Sequence, residues 1–211
     1  MEGASLPPLL NHGIMKVLRK GEFLAITNPN ILSPNTMTDF TRRIPSLPKK
    51  QAARDSRIAL AIVKAYDVEH DTEKVKRLFF QNAKFLSNPR YWEIMRTVWV
   101  AVGSTENAKE FIPFMRSDRP SRKWFMTPED SAELEGMSFP IRVYRAFDND
   151  EDPGISWSID KSFVKRYTSA KNRKIKTRLV NREDVFAYIT RRGESEIIIL
   201  PDEGDEKGSD V

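Results

Sequence analysis

Apolar residues recur at helical spacing through the first half of the chain and at every second position through the second. Ile58, Ile62, Ala65 and Tyr66, with Ala59 and Leu60 between them, mark one face of a helix over residues 52–67. A second helix, over 72–86, places Val75, Leu78, Phe79 and Phe85 on its inner face. A third, over 91–102, carries Trp92, Met95, Val98, Trp99 and Val102 and stops at Gly103, which suits a helix C-terminus. Ser104 or Thr105 then caps a short helix through Phe114. Thr127, Pro128, Glu129 and Asp130 start another, with a hydroxyl cap, proline at the first helical position and acids in the first turn. The aromatic residues of these helices read as core.

At Pro140 the period changes. Residues 141–144 alternate as a strand, 148–153 form an acidic turn, and 155–158 form a second short strand. A helix over 161–170 presents Phe163 and Tyr167 inward, and a basic strand covers 175–180. After a turn at 182–184 come strands at 185–189 and 196–200. Helices first and short strands second predict an α+β fold, an N-terminal helical bundle packed on a compact, mainly antiparallel sheet. The expected divisions are an irregular arm over 1–50, a helical region over 51–126, a strand-rich core over 127–202 and an acidic, disordered tail over 203–211. Pro29, Pro34, Pro45 and Pro48 keep the arm from forming more than one short helix, near residues 14–18.

Composition narrows the chemistry. The 211 residues contain no cysteine, which removes disulfides, thiolate nucleophiles and cysteine-bound zinc. Two histidines, His12 and His70, poorly supply a histidine metal site or a Ser-His-Asp triad, so no metal is expected. No apolar run reaches membrane-spanning length and the first residues lack a signal-peptide pattern, so the expected location is the cytoplasm, that of the host if a phage encodes the chain. The net charge of +5 is unevenly spread. Residues 1–126 hold 21 Lys and Arg against 12 Asp and Glu, whereas residues 127–211 hold 14 against 18. Either the halves dock partly through opposite charge, or the basic half recognises an acidic partner, a protein or a nucleic acid; no zinc-finger or RNP pattern supports the latter.

One stretch stands out chemically. Glu194 and Glu196 sit two residues apart where the apolar run Ile197-Ile198-Ile199-Leu200 begins. On a strand they share one face, about 6.5 to 7 Å apart, while Ser195 faces away. Upstream, Val143-Tyr144-Arg145 is an apolar strand ending in arginine, and Gly154-Ile155-Ser156-Trp157-Ser158 is a turn into a strand.

Arginine, then Ser-x-Ser, then Glu-x-Glu, in that order, resembles the mono-ADP-ribosyltransferase family of the Arg-Ser-Glu class, over roughly residues 126–202. The resemblance implies an ADP-ribosyltransferase-like core that uses NAD as its substrate and transfers ADP-ribose to a target protein, with arginine as the acceptor. It implies that Glu196 stabilises the cation formed as nicotinamide leaves, that Glu194 orients and deprotonates the acceptor, and that Arg145 holds the NAD phosphates or the adjoining ribose. Ser156 would hydrogen-bond Glu196 beneath the nicotinamide ribose, with Ser158 and the intervening Trp157 forming the same strand of the NAD site. Phe163 and Tyr167 are candidates to stack on nicotinamide. Ala146 departs from the glycine that often follows the arginine, which places a methyl group where the backbone approaches nicotinamide. Such enzymes act as bacterial toxins or as phage-encoded modifiers of host proteins. The alternatives are an NAD glycohydrolase, with water as acceptor, and an inactive member of the fold that binds a protein or nucleic acid.

Overall fold

The computed structural model describes residues 44, 47–102, 108–147, 154–171, 173–191 and 194–202. Nearly all of the expected arm with its short helix, the Gly103 stop, the Ser104 or Thr105 cap, the acidic turn at 148–153 and the tail from 203 lie outside the described residues.

Helix α1 (Lys49–Val63) begins three residues before the predicted helix, directly after Pro48, whose carbonyl accepts from Ala52 N at 3.0 Å. It continues as a wider turn, Lys64–Val68, and the chain reverses through His70 at φ +53°. Asp71 caps α2 (Thr72–Asn82) by accepting from Lys74 N at 2.8 Å. The last predicted turn of this helix is a tighter 3₁₀ turn, Ala83–Phe85. Three residues per turn instead of 3.6 rotate Phe85 off the inner face. It is 43% exposed rather than buried, with Arg54 and Lys84 over its ring.

Helix α3 (Asn88–Val102) is the centre of the helical half, with Trp92, Ile94, Met95, Val98, Trp99 and Val102 all buried. Helix α4 (Ala108–Met115) packs Phe111 edge-on to Trp99, with ring centroids 5.4 Å apart. Helix α5 (Pro128–Glu135) starts as its sequence predicts. Thr127 Oγ1 accepts from Asp130 N at 3.0 Å, and the Asp130 carboxylate accepts in return from Thr127 N at 3.2 Å.

Among the described residues five strands follow: β1 (Ile141–Phe147), β2 (Ser156–Ser158), β3 (Lys174–Val180), β4 (Ala187–Arg191) and β5 (Glu194–Ile198). Helix α6 (Lys161–Lys171) lies between β2 and β3 in the chain. All pairings are antiparallel, in the order β3-β1-β2-β5-β4, so β3 and β4 are the edges. Strand β4 starts two residues later than its apolar run predicts, because Val185 and Phe186 are still leaving the turn Arg182–Asp184. Strand β5 starts two residues earlier, at Glu194, where it pairs with Arg191. Inter-strand hydrogen bonding sets both limits, and apolar content does not report it.

The sheet has two unequal faces. Ile155, Phe186, Ala187, Ile189 and Ile198 join the large core made by the helical half, while Val143, Trp157, Val180, Tyr188, Ile197 and Ile199 pack with Leu134 of α5 in a smaller cluster. The halves therefore meet through apolar burial, and the ion pair of Arg96 with Asp130, at 2.9 Å, joins them as well. No helix among the described residues is long and apolar enough to cross a membrane.

Candidate active site

Strand pairing brings the three motifs together. Tyr144 pairs with Ser158, Ser158 with Glu196, and Glu196 with Ile189, so these four residues form one row across the sheet on a single face. Ser156 is the diagonal neighbour of Glu196 on that face, and its hydroxyl donates to Glu196 Oε1 at 2.5 Å. This is the pair that the resemblance joins. A hydroxyl bonded to a carboxylate is among the shorter and stronger hydrogen bonds.

A second donor reaches the same oxygen from the helical half. Trp99 Nε1 lies 3.2 Å from Glu196 Oε1, across 97 positions of sequence. Glu196 is wholly buried and Trp99 is 1% exposed, so the bond between them lies out of water, where it is electrostatically stronger than at the surface, while Ser156 is half-buried. Periodicity reads Trp99 as core, and it is. The overlooked signal is its indole N–H: a buried tryptophan needs an acceptor, and none is available along its own helix, where backbone carbonyls are used.

Arg145 reaches the site by another route. Adjacent to Tyr144, it leaves β1 toward the opposite face, and its guanidinium donates to the main-chain carbonyl of Ser156 at 2.8 Å. It is 6% exposed. Gly154, at φ +41°, makes room for it: a Cβ there would stand 2.6 Å from Arg145 Nε. Arg145 thus braces the start of β2, the strand that carries Ser156.

The remaining candidates separate. Trp157 pairs with Ile197 and packs in the smaller cluster, on the face away from Glu196. Ser158 is buried, and its hydroxyl accepts from Asp160 N at 3.1 Å. That contact leads into α6, where Asp160 accepts from Ser162 N at 2.7 Å and from its hydroxyl at 2.6 Å. The Ser162 hydroxyl, with help from its N–H, holds the Asp160 carboxyl below the usual aspartate range. Phe163 is buried on α6 beneath the Arg166 guanidinium, 4.7 Å from the ring centre, while the Tyr167 side chain is outside the described residues. Ala146 is half-buried and pairs with Ile175 of β3. Glu194 is half-buried at the head of β5, two residues from Glu196 and on the same face.

Two clefts on the helical half touch none of these residues. The larger, about 370 Å³, is lined by Tyr66, Asp67, His70 and Thr72. Burial raises the Asp67 carboxyl there, partly offset by His70. The smaller, about 210 Å³, is lined by Arg57, Ile58, Ala61, Leu78 and Asn82. Among the described residues no cluster of three or more histidines and carboxylates could hold a metal ion.

A scan against protein-family models found no match to this chain, and searches of curated proteins and of solved structures found none either.

Proposed function

We propose that the chain is an NAD-dependent mono-ADP-ribosyltransferase that modifies an arginine of a target protein, as a toxin or a phage-encoded modifier of host proteins. The observation that carries this reading is the hydrogen bond from the Ser156 hydroxyl to a buried Glu196, across neighbouring strands and 40 positions of sequence. Two residues chosen for a shared task in ribose chemistry are in contact, and the arginine of the first motif donates to the main-chain carbonyl of one of them, Ser156.

In the reaction the bond between ribose C1′ and the nicotinamide nitrogen breaks, and nicotinamide leaves with the electron pair. The ribose carbon acquires oxocarbenium character, and a fixed carboxylate stabilises it. Oε1 of Glu196 is held by Ser156 and Trp99, which fixes the orientation of the carboxylate toward the ribose. A guanidinium nitrogen of the target then bonds to C1′ and its proton passes to Glu194, which stands two residues away on the same face. Water in place of the guanidinium gives the glycohydrolase. Glu196 is fully buried, so NAD entry requires the packing over it to open.

That burial, with Arg145 also 6% exposed, favours one rival: a protein that keeps the fold but binds partners without turning over NAD. Labelled NAD in a cell lysate separates the two. The native chain is expected to label a protein band, and Glu196→Gln, which preserves shape and an acceptor oxygen, to lose about 10²- to 10³-fold in rate. Release of nicotinamide with no labelled band assigns the glycohydrolase. Absence of both at millimolar NAD, with a folded protein, assigns the binding protein.

A further inference from the structure

Between Asp160 and Glu183 the sequence has nine Lys and Arg and no acid. The rest of residues 127–211 has only five cations against all 18 acids of that region, so the basic segment opposes its surroundings in sign. It forms α6 and the edge strand β3, both packed on β1.

The cations are ordered on that scaffold. Lys174, Lys176 and Arg178 alternate along β3, all exposed, and pair with Phe147, Arg145 and Val143. They form a row on one face with about 6.5 to 7 Å between neighbours. Lys161, Lys165 and Arg166 are exposed on α6. On the face of the row Lys176 stands 5.8 Å over Phe147, while on the other face of β1 Lys161 stands 5.7 Å over Tyr144.

This arrangement costs stability. Like charges directly opposite on a sheet repel, and Lys176 faces Arg145. Lysine on an edge strand discourages aggregation, but one or two charges serve that end, and it does not explain the cations of α6. A solvated face would mix both signs. An evenly spaced, single-sign row on an extended strand fits a linear polymer with regularly repeated negative charge, which an acidic peptide of mixed composition is not.

We infer that the edge strand β3 binds single-stranded nucleic acid through its phosphates, without reading bases. The inference is independent of NAD chemistry and holds whether or not the chain turns NAD over. It moves the polyanion surface from the N-terminal half, where net charge alone suggests it, to the edge of the sheet.

The test is fluorescence anisotropy of the full chain with a labelled oligothymidylate of about 20 nucleotides, from about 50 to 200 mM salt. The expected result is binding that weakens steeply with salt. The triple variant K174E/K176E/R178E is expected to weaken binding at least tenfold at the low-salt end and to flatten the salt slope by about 2, three phosphate contacts at roughly 0.7 each. The control is K64E/K84E/R57E, which makes the same charge change at exposed positions of the helical half and is expected to have a much smaller effect. Circular dichroism checks that both variants are folded. Equal losses in the two variants would overturn the inference, because net charge alone would then explain binding. It is overturned equally by no binding at about 50 mM salt, or by polyglutamate of matched charge displacing the oligonucleotide as well as unlabelled oligonucleotide does, which would indicate an acidic protein partner.

Discussion

Two buried acids join α3 to the strand-rich half, and they are held in different ways. Asp130 is 3% exposed and makes an ion pair with Arg96, accepts from Thr190 N at 3.0 Å, and closes the cap of α5. One helical turn further along α3, Trp99 meets Glu196 instead. At the Asp130 corner a full positive charge and backbone N–H groups anchor a helix, a strand and a helix start at once. At the Glu196 corner an indole and a hydroxyl meet on one oxygen. An arginine clamped on a carboxylate neutralises it, whereas hydroxyl and indole donors fix its orientation. The first arrangement serves the fold, and under the proposed function the second holds the carboxylate that faces the ribose.

Removing each side chain sharpens that contrast. Asp130→Ala leaves Arg96 without its carboxylate and opens the α5 cap, and is expected to cost about 3 to 5 kcal/mol in urea unfolding. A loss below about 1 kcal/mol would erase the distinction between the corners. The Glu196→Gln protein, in the same assay, is expected to lose far less stability than activity.

Trp99→Phe keeps an aromatic ring in the core but removes the indole N–H and part of the ring system. The expected cost is about 2 to 4 kcal/mol, from a buried carboxylate left one donor short and from the cavity left by the lost ring atoms. If Trp99 positions Glu196, NAD turnover drops about tenfold in kcat at nearly constant KM, the pattern of an interaction felt mainly in the transition state. Independently of turnover, the Trp99 indole N–H resonance is expected to shift in the Glu196→Gln protein. An unmoved resonance would break the pairing of the two corners.

The smallest expected effect concerns the brace. Gly154→Ala introduces a Cβ at a positive φ and into the path of Arg145, a cost of about 1 to 2 kcal/mol in the same unfolding assay. Because Arg145 holds β2 through the Ser156 carbonyl, the variant should also slow turnover. Lost stability with unchanged turnover would restrict Arg145 to the fold.

Much of this molecule is legible along the chain. The apolar faces of α1, α2 and α3, the Thr127 cap and the change of period at Pro140 follow from local rules, since 3.6- and 2-residue periods and capping hydroxyls act within a few residues. The grouping of Arg145, Ser156 and Glu196 is legible as an ordered motif, and Glu194 and Glu196 share a face through simple alternation. What tertiary structure alone decided is everything that depends on a neighbour distant in sequence. The 3₁₀ turn that exposes Phe85, the register that starts β5 at Glu194 and the second donor on Glu196 from Trp99 belong to this class. So does the contact between Gly154 and Arg145, which no periodicity encodes. Local propensity and pattern choose the elements, while hydrogen bonds and packing between elements choose which polar atoms meet, and the candidate site is made of such meetings.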